Sequence, residues 1–162
     1  MVILGVDPGT ARLGWGIVNS QKANQTVGPY GCLETKSSQS DSARLKQLFN
    51  QFTQLLKKFK PDVVAIEDIF FFKNQKTVIQ VSQARGVVLL AAQLQNISTS
   101  SYAPLQVKLA VTGYGRADKR QVQQMTKSIL KLSSIPKPDD TADALAVALT
   151  HAFSYKMKHK VK

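Results

Sequence analysis

Cysteine is almost absent from this chain. Cys32 is the single one, so an internal disulfide and a cysteine-rich metal site are both excluded, and its side chain suits a strand as a small apolar group. Long apolar runs are missing as well, since none approaches the roughly 20 residues that span a bilayer. The first residues lack the cationic and long apolar segments of a secretion signal. We therefore expect a cytoplasmic protein.

Acidic residues are scarce. Ten Asp and Glu stand against 22 Lys and Arg, which gives a formal net charge of +12. Such a charge attracts a polyanion, either nucleic acid or an anionic membrane, although basic proteins without a polyanionic partner also exist. The 162 residues, of which 43% are hydrophobic, suit one globular domain of the α/β or α+β class and argue against disorder.

Hydrophobic periodicity predicts strands and helices in alternation. The first two strands are joined by a Pro8–Gly9 turn, which favours an antiparallel start. The run "DVVAIED" is apolar almost throughout, as expected for a central strand that is buried on both faces and parallel to the first strand. The predicted strands cover about 2–7, 13–19, 27–36, 62–68 and 97–102, and the predicted helices about 43–59, 75–95, 104–111, 118–132 and a last one from 139 or 140.

Four of the few acids occupy positions where carboxylates would converge. Asp7 ends the first strand and Glu67 ends the central one, and adjacent parallel strands end at the same edge of a sheet. Asp140 and Asp143 stand three apart at a helix start, which puts them on one face. Gathered carboxylates raise one another's pKa unless a cation lies between them. Mg²⁺ and Mn²⁺ prefer such oxygen ligands, and a pair of these ions can clamp a phosphodiester displacement.

Each acid also has an ordinary structural interpretation. Asp139, Asp140 and Asp143 could cap a helix, Glu67 could be a loop acid, and Asp7 in "DPG" is a good turn former. Taken one at a time, these interpretations are the more frequent ones. Their convergence in an acid-poor, basic chain favours a metal site.

Four ordered segments resemble the RuvC family of Holliday-junction resolvases. They are "ILGVDPGTARLGWGIV", "PDVVAIEDIFFFKN", "QARGVVLLAA" and "DDTADALAVALTHA", and the likeness covers nearly all of residues 1–155. The resemblance implies an α/β, RNase H-like fold with a mixed five-stranded sheet flanked by helices. It also implies a homodimer that nicks two symmetry-related strands of a four-way DNA junction with Mg²⁺, in recombination and repair. An in-line displacement would leave a 5′-phosphate and a 3′-hydroxyl.

The family's four catalytic, metal-binding carboxylates fall on Asp7, Glu67, Asp140 and Asp143. We expect two Mg²⁺ ions per site, with Mn²⁺ able to substitute. A one-residue shift would use Asp139 instead of Asp140, but the D-x-x-D spacing to Asp143 favours Asp140.

The DNA-contacting residues are expected next to these acids. Three consecutive aromatics follow Glu67, and neighbours in an extended segment alternate in direction, so at least one should be exposed. The resemblance points to Phe70, with core packing as the alternative, and to Lys108 and Lys119 near the bound strand. Further contacts are predicted on electrostatic grounds at Lys73 and Lys76, and at Arg120 because "GYGRADKRQV" enters a helix whose amides favour phosphate. A plain loop before a helix is the alternative for that segment.

The remaining predictions concern the dimer interface, the domain bounds, a partner protein and rival functions. The apolar helix through Arg85 and Gly86 is the candidate dimer interface, and a core helix is the alternative. We place the nuclease domain at 1–155 and a basic tail at 156–162. The resemblance also implies a branch-migration helicase partner. Rival functions are a related nuclease acting on RNA or other branched DNA, a junction-binding module, and an actin-like ATPase. The last is considered because "DPGT" resembles the first phosphate loop of those enzymes.

Overall fold

The described part of the chain folds around one sheet of five strands. The structure is a computed structural model that describes residues 1–22, 24–69 and 75–160, without the side chains of 75–77 and 155–160. Its elements are β1 (Val2–Asp7), β2 (Arg12–Gln21), β3 (Asn24–Glu34), α1 (Asp41–Phe59), β4 (Val63–Glu67), α2 (Gln75–Leu94), β5 (Ser98–Tyr102), α3 (Pro104–Thr112), α4 (Lys119–Ile129) and α5 (Asp139–Lys160). No described helix is long and apolar enough to cross a membrane.

The strand order is β3-β2-β1-β4-β5, and the sheet is mixed. β1 pairs with β2 antiparallel and with β4 parallel, in a register that places Val6 beside Ile66. β4 and β5 are also parallel. This confirms the predicted antiparallel start and the predicted parallel central strand. Asp7 and Glu67 each come one residue after that last registered pair, so both carboxylates leave the sheet at the same edge.

Helices cover both faces of the sheet, and each face has its own apolar layer. One layer packs α1 and α2 against the sheet through residues such as Leu48, Phe52 and Val88. The other packs α3, α4 and α5 through residues such as Val107, Val122 and Leu149. The central strands are therefore buried on both sides, which is why their sequences are continuous apolar runs.

Helix ends follow local side-chain chemistry. Ser40 caps α1 by accepting a hydrogen bond from the amide of Ala43 at 3.3 Å, which satisfies one free amide of the first turn. Asp118 caps α4 in the same way, accepting from the amide of Gln121 at 2.8 Å. The Asp118 carboxylate therefore satisfies one of the free amides at this helix start.

Helix α5 lies unusually close to β1 and β2. A Cβ at Gly14 would overlap the main-chain carbonyl of Asp140, and one at Gly5 would overlap that of Ala144. Only glycine permits this approach. The close packing fixes the first two turns of α5, which carry Asp140 and Asp143, against the strand that ends in Asp7.

Candidate active site

The predicted carboxylates meet at one edge of the sheet. Asp7 and Glu67 are contributed by the ends of β1 and β4, and Asp143 comes from the second turn of α5. Glu67 and Asp143 line the same groove. The charge of Asp140 also acts on Asp7. The structure therefore brings the four acids into one electrostatic unit.

The carboxylates oppose one another's ionisation. Burial raises the pKa of Asp7 well above its usual range, and the negative charges of Glu67 and Asp143 raise it further. Burial also raises the pKa of Glu67 to about 7, with a smaller contribution from Asp143. The pKa of Asp143 is raised by burial as well, although Lys119 partly offsets the effect. Crowded, buried carboxylates of this kind are typical of sites that bind a cation or move a proton.

Two basic side chains balance part of this charge. Nζ of Lys119 lies 2.9 Å from Oδ2 of Asp143 and 3.1 Å from Oδ2 of Asp139. Nη1 of Arg12 lies 3.6 Å from Oδ2 of Asp140. Burial lowers the pKa of Lys119, but its hydrogen bonds and charge pairing with the two aspartates outweigh this and raise it overall. The ammonium group is therefore fully protonated at neutral pH.

Asp139 and Asp140 differ in their surroundings. The side chain of Asp139 is 64% exposed, and the hydrogen bond from Lys119 lowers its pKa. Asp140 is half as exposed, at 33%, and its charge reaches Asp7. This arrangement favours Asp140 as the member of the acidic set, as the D-x-x-D spacing predicts.

The donor set suits a divalent cation by its chemistry. It consists of hard carboxylate oxygens whose mutual repulsion a cation would relieve. Among the described residues, no group of three or more Asp, Glu, His or Cys side chains is arranged to hold a metal ion as it stands. Lys119 and Arg12 instead hold Asp143 and Asp140. The residues fit a metal in kind, and ligation requires these side chains to turn toward a common ion.

A groove of about 510 Å³ opens beside the carboxylates. Besides Glu67 and Asp143, its described lining includes the basic residues Lys108, Arg116 and Lys119. Arg120 follows in the first turn of α4 and is exposed. The predicted contacts at Lys108 and Lys119 thus lie beside the acids. Phe70, Lys73 and the side chain of Lys76 lie outside the described residues, and these three contacts stay predictions.

Sequence reasoning missed several residues around the site. Arg12 was not singled out, because its pairing with Asp140 joins residues far apart in the chain. The ion pair between Arg85 and Asp68, at 2.9 Å, was missed for the same reason. Arg116 was noticed only as part of a basic segment, with no pattern to place it in the groove.

Comparison with known proteins identifies the family. The sequence profile described as "Crossover junction endodeoxyribonuclease RuvC" matches residues 3–151. The RuvC protein of Fusobacterium nucleatum is 51% identical, over 98% of this chain and 83% of its own. This chain belongs to the RuvC family.

Solved structures agree with this assignment. The Thermus thermophilus RuvC structure superposes with a TM-score of 0.91 at 35% identity, covering 98% of this chain and 97% of that one. The T. thermophilus RuvC structure in complex with a Holliday junction substrate gives a TM-score of 0.92 at 36% identity, with 98% and 96% coverage. The RNase H-like fold with a mixed five-stranded sheet is thereby confirmed. Membership of the RuvC family also decides against an actin-like ATPase. The segment "DPGT" resembles the phosphate loop of those enzymes.

Proposed function

We propose that this chain is a DNA endonuclease that resolves four-way Holliday junctions in recombination and repair. It makes paired, symmetric, metal-dependent nicks that leave 5′-phosphate and 3′-hydroxyl ends. Membership of the RuvC family supports the nuclease activity. The T. thermophilus relative has been solved with a Holliday junction substrate. The observation that carries the proposal is the set of four acids beside a basic groove, which suits metal-assisted hydrolysis of a polyanion.

We assign metal ligation to Asp7, Glu67, Asp140 and Asp143, with two Mg²⁺ ions and Mn²⁺ as a substitute. When bound, these cations would neutralise the scissile phosphate and stabilise the attacking and leaving oxygens. Asp7 is the central member, because its pKa responds to the charges of all three other acids.

The basic side chains have separate tasks in this proposal. Lys108 and Arg116 contact the phosphate backbone in the groove and orient the strand over the acids. Lys119 compensates Asp143 until a cation is bound, and afterwards its ammonium group is available to a phosphate oxygen. Phe70, Lys73, Lys76 and Arg120 are assigned to further DNA contacts by the family resemblance or by charge.

Symmetric cutting requires two active sites, and the outer face of α2 suits a second copy of the chain. Ile79, Leu90 and Leu94 on this face are 68%, 55% and 59% exposed, whereas Ala84 and Val88 on the inner face are buried. Gly86 lies between Ile79 and Leu90 on the exposed side, and a Cβ there would meet nothing within 4 Å. An isologous dimer would cover this apolar stripe and present two facing sites.

Three further parts of the proposal depend on the family resemblance or the sequence pattern. They are a branch-migration helicase partner, a cytoplasmic location, and the division into a nuclease domain at 1–155 and a basic tail at 156–162. Helix α5 continues to Lys160, so this boundary coincides with no helix end.

The test is cleavage of a synthetic mobile four-way junction in Mg²⁺, beside a linear duplex and an RNA–DNA hybrid of the same sequence. We expect paired, ligatable nicks in the junction alone. Asp7→Asn should abolish cutting and keep junction binding. Asp62→Asn is the matched control, since Asp62 is an exposed acid just before β4, at the end of that strand opposite Glu67, and it should cut like the wild type.

Other results would redirect the assignment. Preferential cutting of the hybrid would indicate an RNA-directed nuclease with the same acids. Junction binding without cleavage in Mg²⁺ and Mn²⁺ alike would indicate a binding module.

A further inference from the structure

Helix α2 is hydrogen-bonded to the two segments that follow Asp7 and Glu67. On the Asp7 side, Oγ1 of Thr10 donates to the carbonyl oxygen of Gln80 at 2.7 Å. On the Glu67 side, Nη2 of Arg85 donates to Oδ1 of Asp68 at 2.9 Å. One helix therefore anchors both strand ends that carry site carboxylates.

The anchor on the Asp7 side is tied into the rest of the fold. Thr10 is only 4% exposed. Its carbonyl accepts a hydrogen bond from Oγ1 of Thr35 at 2.7 Å, and Nε of Arg44 donates to that same hydroxyl at 2.8 Å. The turn after Asp7 is thus held between α1 and α2. A shift of either helix would move it.

The anchor on the Glu67 side has a comparable second attachment. Nη2 of Arg85 also donates to Oγ of Ser101 on β5 at 2.8 Å. The amide of Asp68 donates to the carbonyl of Tyr102 at 2.9 Å, which continues the ladder between β4 and β5. Asp68 is therefore fixed through its main chain by β5 and through its side chain by α2.

The Arg85 anchor is more than a packing contact. The Arg85 side chain is 24% exposed, and its Nε is buried with no hydrogen-bond partner among the described residues. An unsatisfied buried donor is unfavourable, and apolar side chains would fill the same space at lower cost. What the guanidinium provides is a directed bond to the residue next to Glu67.

We propose that Arg85 and Thr10 are positioning residues that fix Asp7 and Glu67 relative to each other by anchoring both strand ends to α2. The inference rests on the proposed function, in which both carboxylates would be metal ligands. Loosening either anchor should weaken Mg²⁺ binding rather than DNA binding. Residues that orient metal ligands through a second contact typically change metal affinity by about tenfold or more when removed.

The test uses two readouts of Mg²⁺ binding on the full chain. One is the Mg²⁺ concentration for half-maximal junction cleavage, and the other is the Mg²⁺ concentration for half-maximal thermal stabilisation of the free protein. Arg85→Gln and Thr10→Val should each raise both concentrations by about tenfold, with junction binding in EDTA unchanged. Thr10→Ser keeps the hydroxyl and should behave as wild type. Ser101→Ala keeps the Asp68 bond and should have a smaller effect than Arg85→Gln.

A double-mutant cycle tests whether Arg85 acts through Asp68. Asp68→Ala should shift the half-maximal Mg²⁺ concentrations in the same direction as Arg85→Gln, and the double variant should equal Arg85→Gln, because both changes remove the contact between Arg85 and Asp68. If the fold-changes of the two single variants multiply in the double variant, Arg85 does not act through Asp68. If Arg85→Gln and Thr10→Val melt at a lower temperature but keep the half-maximal Mg²⁺ concentrations of the wild type, the inference is overturned and the two residues have only a structural role.

The two levels of proposal fail in different ways. If the wild-type protein shows neither Mg²⁺-dependent cleavage nor Mg²⁺-dependent stabilisation, the proposed function fails and the inference with it. If the wild type shows both while Arg85→Gln and Thr10→Val match it, only the inference fails.

Discussion

The ammonium group of Lys119 lies 2.9 Å from the carboxylate of Asp143, at the edge of the sheet where Asp7 and Glu67 also end. Its positive charge partly lowers the raised pKa of each of these three acids. In the absence of a divalent cation, Lys119 is therefore the compensating charge of the cluster.

Replacing Lys119 by Met should destabilise the metal-free protein. The ion pair between Lys119 and Asp143 is partly exposed, so we expect the free energy of unfolding to fall by no more than about 1 kcal/mol. Urea unfolding at pH 8 in EDTA measures this. Arg120→Met, in the same turn of α4, is the control and should change stability less. Equal effects of the two variants would contradict the compensating role.

The stability of the metal-free protein should fall as the pH rises from about 4.5 to about 7. The pKa of Glu67 is raised from 4.5 to about 7 in the folded protein. Below 4.5 the group is protonated in both states. Between the two pKa values only the unfolded chain releases the proton, and this release favours unfolding. The free energy of unfolding should fall by up to about 3 kcal/mol in total.

Glu67→Gln isolates this contribution from other titrating groups. The difference in unfolding free energy between Glu67→Gln and wild type should be near zero at pH 4 and favour the variant at pH 8. Mg²⁺ should stabilise the wild type more at pH 8 than at pH 6. A difference that stays constant with pH would show that Glu67 keeps an ordinary pKa.

Most strands and helices, and the acidic positions, could be predicted because they leave local patterns, whereas the RNase H-like fold was implied by the family resemblance. Apolar runs mark β1 and β4, and each ends on an acid. Amphipathic spacing marks α1, and the D-x-x-D motif opens α5. Boundaries were harder to predict. Helix α4 was expected to reach 132 but ends at Ile129, since Lys131 adopts a left-handed conformation with φ 53°.

The contacts that organise the site leave no such pattern. Arg12 pairs with Asp140, and Thr10 bonds to Gln80, across long stretches of sequence. Only the assembled sheet brings these residues together. Gly5 and Gly14 also gave no sign in the sequence of their role, which is to admit the main chain of α5. Local chemistry therefore locates the carboxylates, and tertiary packing determines what surrounds them.

The apolar outer face of α2 should hold the dimer together. Leu90→Lys places a charge on this face and should convert the protein to monomers, measured by sedimentation velocity at several concentrations. Leu109→Lys is the matched control, because Leu109 is 48% exposed on α3, close to the 55% of Leu90. It should leave the oligomeric state unchanged. Paired nicking should fall with dimer content. A wild-type monomer, or a dimeric Leu90→Lys, would contradict the assignment of this face.

The basic groove should account for part of the affinity for junction DNA. Lys108 and Arg116 line it beside Glu67 and Asp143, so Lys108→Ala and Arg116→Ala should each weaken junction binding. Binding is measured over a salt series with Asp7→Asn as the non-cutting background. Each lost phosphate contact should reduce the slope of log affinity against log salt by about 1, because one fewer counterion is released.

Lys57→Ala is the control for this salt series, since Lys57 lies in the last turn of α1, outside the groove. It removes the same charge from the protein, so a purely net-charge effect would lower the slope equally in all three variants. A groove-specific effect appears only in Lys108→Ala and Arg116→Ala. Because both residues border the acids, their loss should also reduce the cleavage rate at saturating DNA if they orient the strand, and leave that rate unchanged if they only attract it. The two readouts thus separate attraction of the DNA from its alignment over the carboxylates.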